Sequence, residues 1–342
     1  MSDGTPAARI PLNTLAIAFG LVGLADVWTA TSAALELPAG IGNAFWMIAA
    51  LSWVWLLVAH TLRGGRTAGT LASQLRHPLQ GPIAALAPIV GMLLAADLYH
   101  FSPLIGQILV VFFMAATAAF AGWLISTWLG GGLELESLHG GYFLPTVAGG
   151  FIGATAAAEV GFTSIAIGAF AVGLFFWIVM FTLITARLMF RPAIPAPLAP
   201  TLVIFVAPPA VAGTAWFLIA PTPGPVDYAL AATTALMILV QLALIPRYRR
   251  LSFTLGFWSF TFPFAAVGGY AIIWLNILRP AGWQIIVVAV VTGITALVVA
   301  IAIKSLELLR RRDSGNPILT ATRPDTTALL VDSITTDPMK VG

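Results

Sequence analysis

The chain is dominated by long runs of apolar residues separated by short polar breaks. A run of about 20 apolar residues spans the ~30 Å hydrocarbon core of a bilayer as an α-helix, at 1.5 Å per residue. Ten such runs stand out, at 13–36, 41–62, 81–99, 104–129, 143–160, 163–189, 200–220, 226–246, 253–277 and 283–309. The fifth is the shortest and the richest in glycine. The breaks are short, which predicts antiparallel helical hairpins. The expected fold is an all-α integral membrane protein: a ten-helix pore domain over 12–310, with a cytoplasmic N-terminal tail at 1–11. The last stretch, 311–342, gathers Asp, Thr, Pro and Ser without an apolar run, and is expected to be a disordered cytoplasmic tail. The first run is too long for a signal-peptide core and is expected to be a retained helix, although Ser32-Ala33-Ala34 resembles a cleavage site.

Prolines add a second periodicity. Pro88, Pro145, the pair Pro208 and Pro209, and Pro263 fall in or at the start of odd-numbered spans, about one helical hairpin apart. The first span has Gly20 and Gly23 at the matching place, and even-numbered spans are expected to lack internal proline. A proline deletes one backbone N–H and frees a carbonyl, which is costly against lipid but tolerable beside a polar cavity or another helix. The alternation therefore predicts five hairpins, with five bent inner helices around a pore and five outer helices. Ordinary proline and glycine use in membrane helices is the competing explanation.

Composition agrees with the apolar pattern. Hydrophobic residues make up 59% of the chain and charged residues 8%, against about 25% charged in soluble domains. The net charge of +3 sits at span ends, so it reports orientation and not nucleic-acid binding. Arg63, Arg66 and Arg76, then Arg187 and Arg191, then Arg247, Arg249 and Arg250, and finally Arg310, Arg311 and Arg312 mark one side; the other carries only Arg279. The positive-inside rule then predicts a multi-pass protein of the inner (plasma) membrane with both termini cytoplasmic. The loop between spans four and five is silent, with Glu134 and Glu136 alone.

Chemistry-bearing motifs are sparse. There is no cysteine, which removes disulfides, thiolate metal sites and thiol catalysis. No Walker A loop, HExxH, GxSxG or dinucleotide fingerprint is present, so neither an enzyme nor a cofactor is expected. His60, His77, His100 and His139 stand near span ends without metal-ligand spacing, and no metal is expected. Three acids fall toward the same end of odd spans: Asp26, Asp97 and Glu159. Asp26 lies well inside its span and has two readings, a proton site or a residue facing a vestibule. No Lys or Arg lies near a span midpoint, so an anion would be stabilised by backbone dipoles, hydroxyls and helix termini. Weak sites of that kind favour fast passage of small monovalent anions. Phe262 lies at mid-bilayer depth immediately before Pro263, where an apolar ring can close a narrow pore by dewetting; abundant packing phenylalanine is the competing explanation.

Three segments carry a family resemblance. Pro200 to Pro209, reading PTLVIFVAPP, resembles a signature of the TehA/slow-anion-channel superfamily, as does Phe257 to Pro263, reading FWSFTFP. His139 to Ala154, with Leu144-Pro145 and Gly149-Gly150, resembles the start of that family's fifth helix. The resemblance implies a homotrimer whose protomers each hold a pore of five inner and five outer helices, with Phe262 at the position of a pore-blocking phenylalanine. Pore lining or close packing is expected at Gly20, Gly23, Gly149, Gly150 and Phe205, and helix bends at Pro88, Pro145, Pro208, Pro209 and Pro263. The expected function is a gated passive anion channel for chloride or nitrate, with anions and membrane lipid as partners. The alternative is a secondary exporter of C4-dicarboxylate, sulfite or tellurite, with Asp26 as the candidate proton site.

Overall fold

A computed structural model describes residues 10–64 and 71–313. Arg66 and most of the two expected tails lie outside the described residues. Nine helices among the described residues are long and apolar enough to cross a membrane. In chain order the helices are α1 (Leu12–Leu35), α2 (Gly40–Leu62), α3 (Gly81–Tyr99), α4 (Pro103–Leu129), α5 (Gly149–Glu159), α6 (Thr163–Phe190), α7 (Ala196–Ile219), α8 (Pro225–Tyr248), α9 (Leu255–Leu278) and α10 (Trp283–Arg310). The chain divides into two compact units after Ile301. Residues 1–301 form the first unit; the described part of the second is helical to Asp313, three residues into the expected C-terminal tail, with an exposed Lys304–Glu307 pair at 3.2 Å.

The fifth apolar run differs from a plain membrane helix. A 3-10 turn at Gly140–Phe143 passes into a π-helical turn at Leu144–Ala148, and only then into the α-helix α5. Pro145 supplies the reason, because it has no N–H to donate and its ring crowds the preceding turn. The remaining bonds regroup with the wider π spacing.

Every other odd-numbered helix also opens on a 3-10 segment: Leu12–Thr14, Gly81–Ala85, Ala196–Val206 and Leu255–Phe260. The even helices have none. The expected prolines stand where the helix type changes. Pro88, Pro208 with Pro209, and Pro263 all lie within the first three residues of the following α-segment. A proline there displaces little hydrogen bonding, since first-turn N–H groups have no partner within the helix. The expectation that even spans lack proline needs correction: Pro246 lies inside α8, two residues from its end.

Burial alternates with helix number. In their most apolar windows, α1, α3 and α7 are 67% buried and α9 50%, while α2, α4, α6 and α8 are 22% buried and α10 28%. The even helices expose large apolar side chains such as Leu51, Trp55, Phe112, Phe175 and Leu239, as a lipid-facing surface requires. They also complete the irregular backbone within. Trp53 donates to the Ala87 carbonyl at 2.9 Å, Gln107 to Val160 at 3.0 Å and Gln241 to Leu202 at 3.2 Å.

Candidate functional site

Two small cavities, each about 70 Å³, lie between the odd helices. The first lies toward the helix starts and is mostly apolar. Phe19, Ile83, Phe143, Phe151 and Trp258 contribute to its wall, with Asn13, Thr201 and Ser259 as the polar side chains. Gly141 and Gly256, each near the start of a 3-10 segment, also face it. Both starts are capped by side chains: His139 Nδ1 accepts from Gly141 N–H at 3.1 Å, and Thr254 Oγ1 accepts from Gly256 N–H at 3.2 Å. His139 is fully buried and its Nε2 lies 3.2 Å from the Leu79 carbonyl. Burial pushes it down to about 4, with the Arg187 charge acting in the same direction and the Leu79 carbonyl against it. It is a neutral strut.

The second cavity lies toward the helix ends. Asp26, Asp97, Glu159 and His100 face it, together with Thr29, Trp46, Thr155 and Thr214. Asp26 is accessible although its neighbours Ala25 and Val27 are fully buried, so its carboxylate opens onto this space. Among the described residues no hydrogen bond or ion pair reaches the three carboxylates. They lie close enough to interact electrostatically with one another.

Three side chains border both cavities: Ile152 of α5, Val211 of α7 and Phe262 of α9. They form the partition between the two spaces. Phe262 is 8% exposed and stacks on Phe19 of α1, with ring centroids 3.6 Å apart and planes at 14°. The stack is held by close helix approach. A Cβ at Gly23 would lie 3.1 Å from the Phe262 ring and 3.0 Å from Ala265, and a Cβ at Gly20 would overlap the Thr261 side chain. Thr261 is itself fixed by a 2.7 Å bond to the Trp258 carbonyl.

The other expected site residues are distributed as follows. Pro208 and Pro263 line the first cavity; Pro88, Pro209 and Phe205 line neither. Phe205 packs edge-on to Phe143 and Phe181, at 5.1 and 5.5 Å. Gly149 and Gly150 face outward with Pro145, onto a groove between α4, α5 and α6. There a Cβ on Gly149 would meet Thr117 at 2.8 Å, and one on Gly150 would meet the Gly173 backbone at 2.5 Å. His60 lies 3.0 Å from Thr14 Oγ1, and His77 accepts from Leu79 N–H. Sequence reasoning missed Phe19, Ile152 and Val211. It placed the three acids at one end of odd spans but did not bring them into a single cavity; shared parity and shared end were the available signal.

Comparison with known proteins adds the family. Residues 9–306 match the family described as SLAC1: Voltage-dependent anion channel. The S-type anion channel SLAH3 of Arabidopsis thaliana is 24% identical over 316 residues, covering 87% of this chain and 48% of the relative. SLAH2 of the same plant is 25% identical over 306 residues, 86% of this chain and 58% of the relative. The tellurite resistance protein TehA homolog of Haemophilus influenzae is 24% identical over 266 residues, 77% of this chain and 80% of the relative. The chain thus spans about half the length of the plant relatives. With the match running across nearly all of its apolar helices, this multi-pass membrane protein belongs to the SLAC1 voltage-dependent anion channel family.

Proposed function

We propose that the chain is a gated passive channel for small monovalent anions such as chloride or nitrate, closed by Phe262 stacked on Phe19. The observation that carries this reading is the partition: Phe262, backed by Phe19, stands with Ile152 and Val211 between two cavities that lie between the same odd helices. In this reading the segment from Gly140 to Glu159 is a tenth crossing, and five hairpins put the odd helices around the pore and the even helices toward lipid. The arginine-bearing breaks support, through the positive-inside rule, an orientation with both termini in the cytoplasm at the inner membrane. Assembly as a trimer is carried over from the resemblance.

Anion size and charge follow from the walls. A cavity of about 70 Å³ has room for only a few waters, so an ion must lose most of its hydration. No Lys or Arg lines either cavity. The Born cost of desolvation rises with the square of charge, so a weakly hydrated monovalent anion passes more easily than a dicarboxylate. The test is anion current through purified protein in planar bilayers. Phe262→Ala is expected to conduct strongly where wild type is nearly silent. Failure of both to conduct would overturn the reading.

A second reading is a proton-coupled exporter of organic acid, sulfite or tellurite, favoured by the unpartnered carboxylates on the same path. It requires uptake into vesicles that an uncoupler abolishes and that Asp26→Asn cripples, neither of which a passive channel shows.

A further inference from the structure

The two cavities differ in charge. No titratable side chain faces the first, where the odd helices begin and Gly141 and Gly256 border the space. Helix starts carry partial positive charge. Buried Arg187, at the end of α6, acts electrostatically on His139 just before the Gly140 turn. The second cavity receives three carboxylates without a basic partner of Lys or Arg type. Glu159 is the last residue of α5 and Asp97 lies in the last turn of α3. An acid at a helix C-terminus faces partial negative charge and is destabilising there, so packing does not explain these positions.

We propose that Asp26, Asp97 and Glu159 make the anion pathway rectify, passing anions readily from the Phe262 partition out through the acidic vestibule and resisting their entry from that side. The proposal rests on the anion-pathway reading above. Negative charge at one mouth lowers the local anion concentration there. Anions driven from the opposite mouth are supplied normally and are then repelled outward; anions driven the other way are starved at their source. In the orientation assigned by the arginines, the vestibule is external and the easy direction is efflux.

The experiment uses single Phe262→Ala channels of the full chain in planar bilayers with symmetric low salt at alkaline pH, where all three carboxylates are ionised, comparing currents at equal and opposite voltages. With charges across about 10 Å of partly aqueous space, the expected asymmetry is roughly threefold to tenfold. Adding Asp26→Asn, Asp97→Asn and Glu159→Gln should bring the ratio toward one. As a second measurement that needs no further substitution, acidifying only the vestibule side should abolish the asymmetry, and acidifying the other side should not. The groups that face the vestibule and titrate are Asp26 on α1, Asp97 and His100 on α3, and Glu159 on α5; α2, α7 and α9 contribute Trp46, Thr214 and Ala266. Protonation of His100 acts in the same direction as neutralising the acids. Symmetric current through Phe262→Ala, or asymmetry unchanged by neutralisation, would sink the proposal while leaving the anion pathway standing. Absence of any anion current in Phe262→Ala would remove the pathway and the proposal together.

Discussion

The odd and even helices of this protein solve opposite problems with nearly the same amino acids. Both sets are apolar and of similar length, yet α1, α3 and α7 are 67% buried in their most apolar windows and α2, α4, α6 and α8 only 22%. The difference lies in backbone and in glycine. Odd helices open on 3-10 segments, with proline at or near the junction in all but α1; even helices run as uninterrupted α-helix from their first turn. Gly20, Gly23, Gly150 and Gly268 of odd helices sit where a Cβ would collide with a neighbour, whereas Gly122, Gly168 and Gly293 of even helices would meet nothing within 4 Å, and the even-helix glycines that would collide, Gly106 and Gly173, do so against Tyr99 and Phe151 of odd helices. Buried irregular backbone is possible because a regular outer layer shields it from lipid and supplies donors to it. The inner set carries shape, and the outer set carries solvation.

Substitutions can break this contrast or sharpen it. The largest effect is expected at the partition. Phe262→Ala should raise anion current by at least tenfold, the equivalent of about 1.4 kcal/mol off the barrier, and Phe19→Ala should raise it less, because the Phe262 ring remains; bilayer recordings of both variants decide this. The matching truncation on an even helix, Phe175→Ala, should leave the current unchanged.

Next comes acid stability through His139. Its folded pKa of about 4 lies below the usual 6.5. The unfolded chain therefore binds the extra proton over that interval, and stability present above pH 6.5 falls as pH drops toward 4. The loss amounts to about 3 kcal/mol at full extent. His139→Gln should flatten this part of the pH dependence, read as thermal unfolding in detergent between pH 7 and 4.

Overpacking is a smaller effect of similar kind. Gly23→Val should cost roughly 1–3 kcal/mol, and Gly122→Ala should be neutral or slightly stabilising, as expected for glycine in an exposed helix. Equal melting temperatures for the two would contradict the inner and outer distinction. Smallest is Trp53→Phe, which removes one side-chain bond to the Ala87 carbonyl, worth about 1 kcal/mol, and should lower the melting temperature by a few degrees without changing ion selectivity.

Much of the fold was legible in the sequence because membrane helices announce themselves by length and hydropathy. Proline alternation anticipated which helices would be buried, since a missing N–H is tolerated only away from lipid. Hydropathy could not report the 3-10 and π turns of residues 140–148, which depend on hydrogen-bond spacing and leave composition unchanged. At the candidate site, Phe262, which borders both cavities, was marked in the sequence by Pro263 and its family motif. Phe19 had no such marker among 21 phenylalanines, and its role depends on how closely α1 and α9 approach at Gly20 and Gly23. Ile152 and Val211 are ordinary aliphatic residues whose importance is entirely positional.

The 3-10 lead of α7 has a geometric consequence. With three residues per turn, side chains at every third position eclipse one another, and Thr201 and Ile204, followed by Ala207 at the start of the α-segment, all line the first cavity. An α-helical stripe would wind gradually around its axis; an eclipsed one keeps one compass bearing. One residue inserted into Ala196–Val206 advances the rest of the lead by about 2 Å and turns it by about a third of a revolution. The lead therefore behaves like an indexed screw thread, in which residue number sets angle, and length variation there is far less tolerable than a change of side chain.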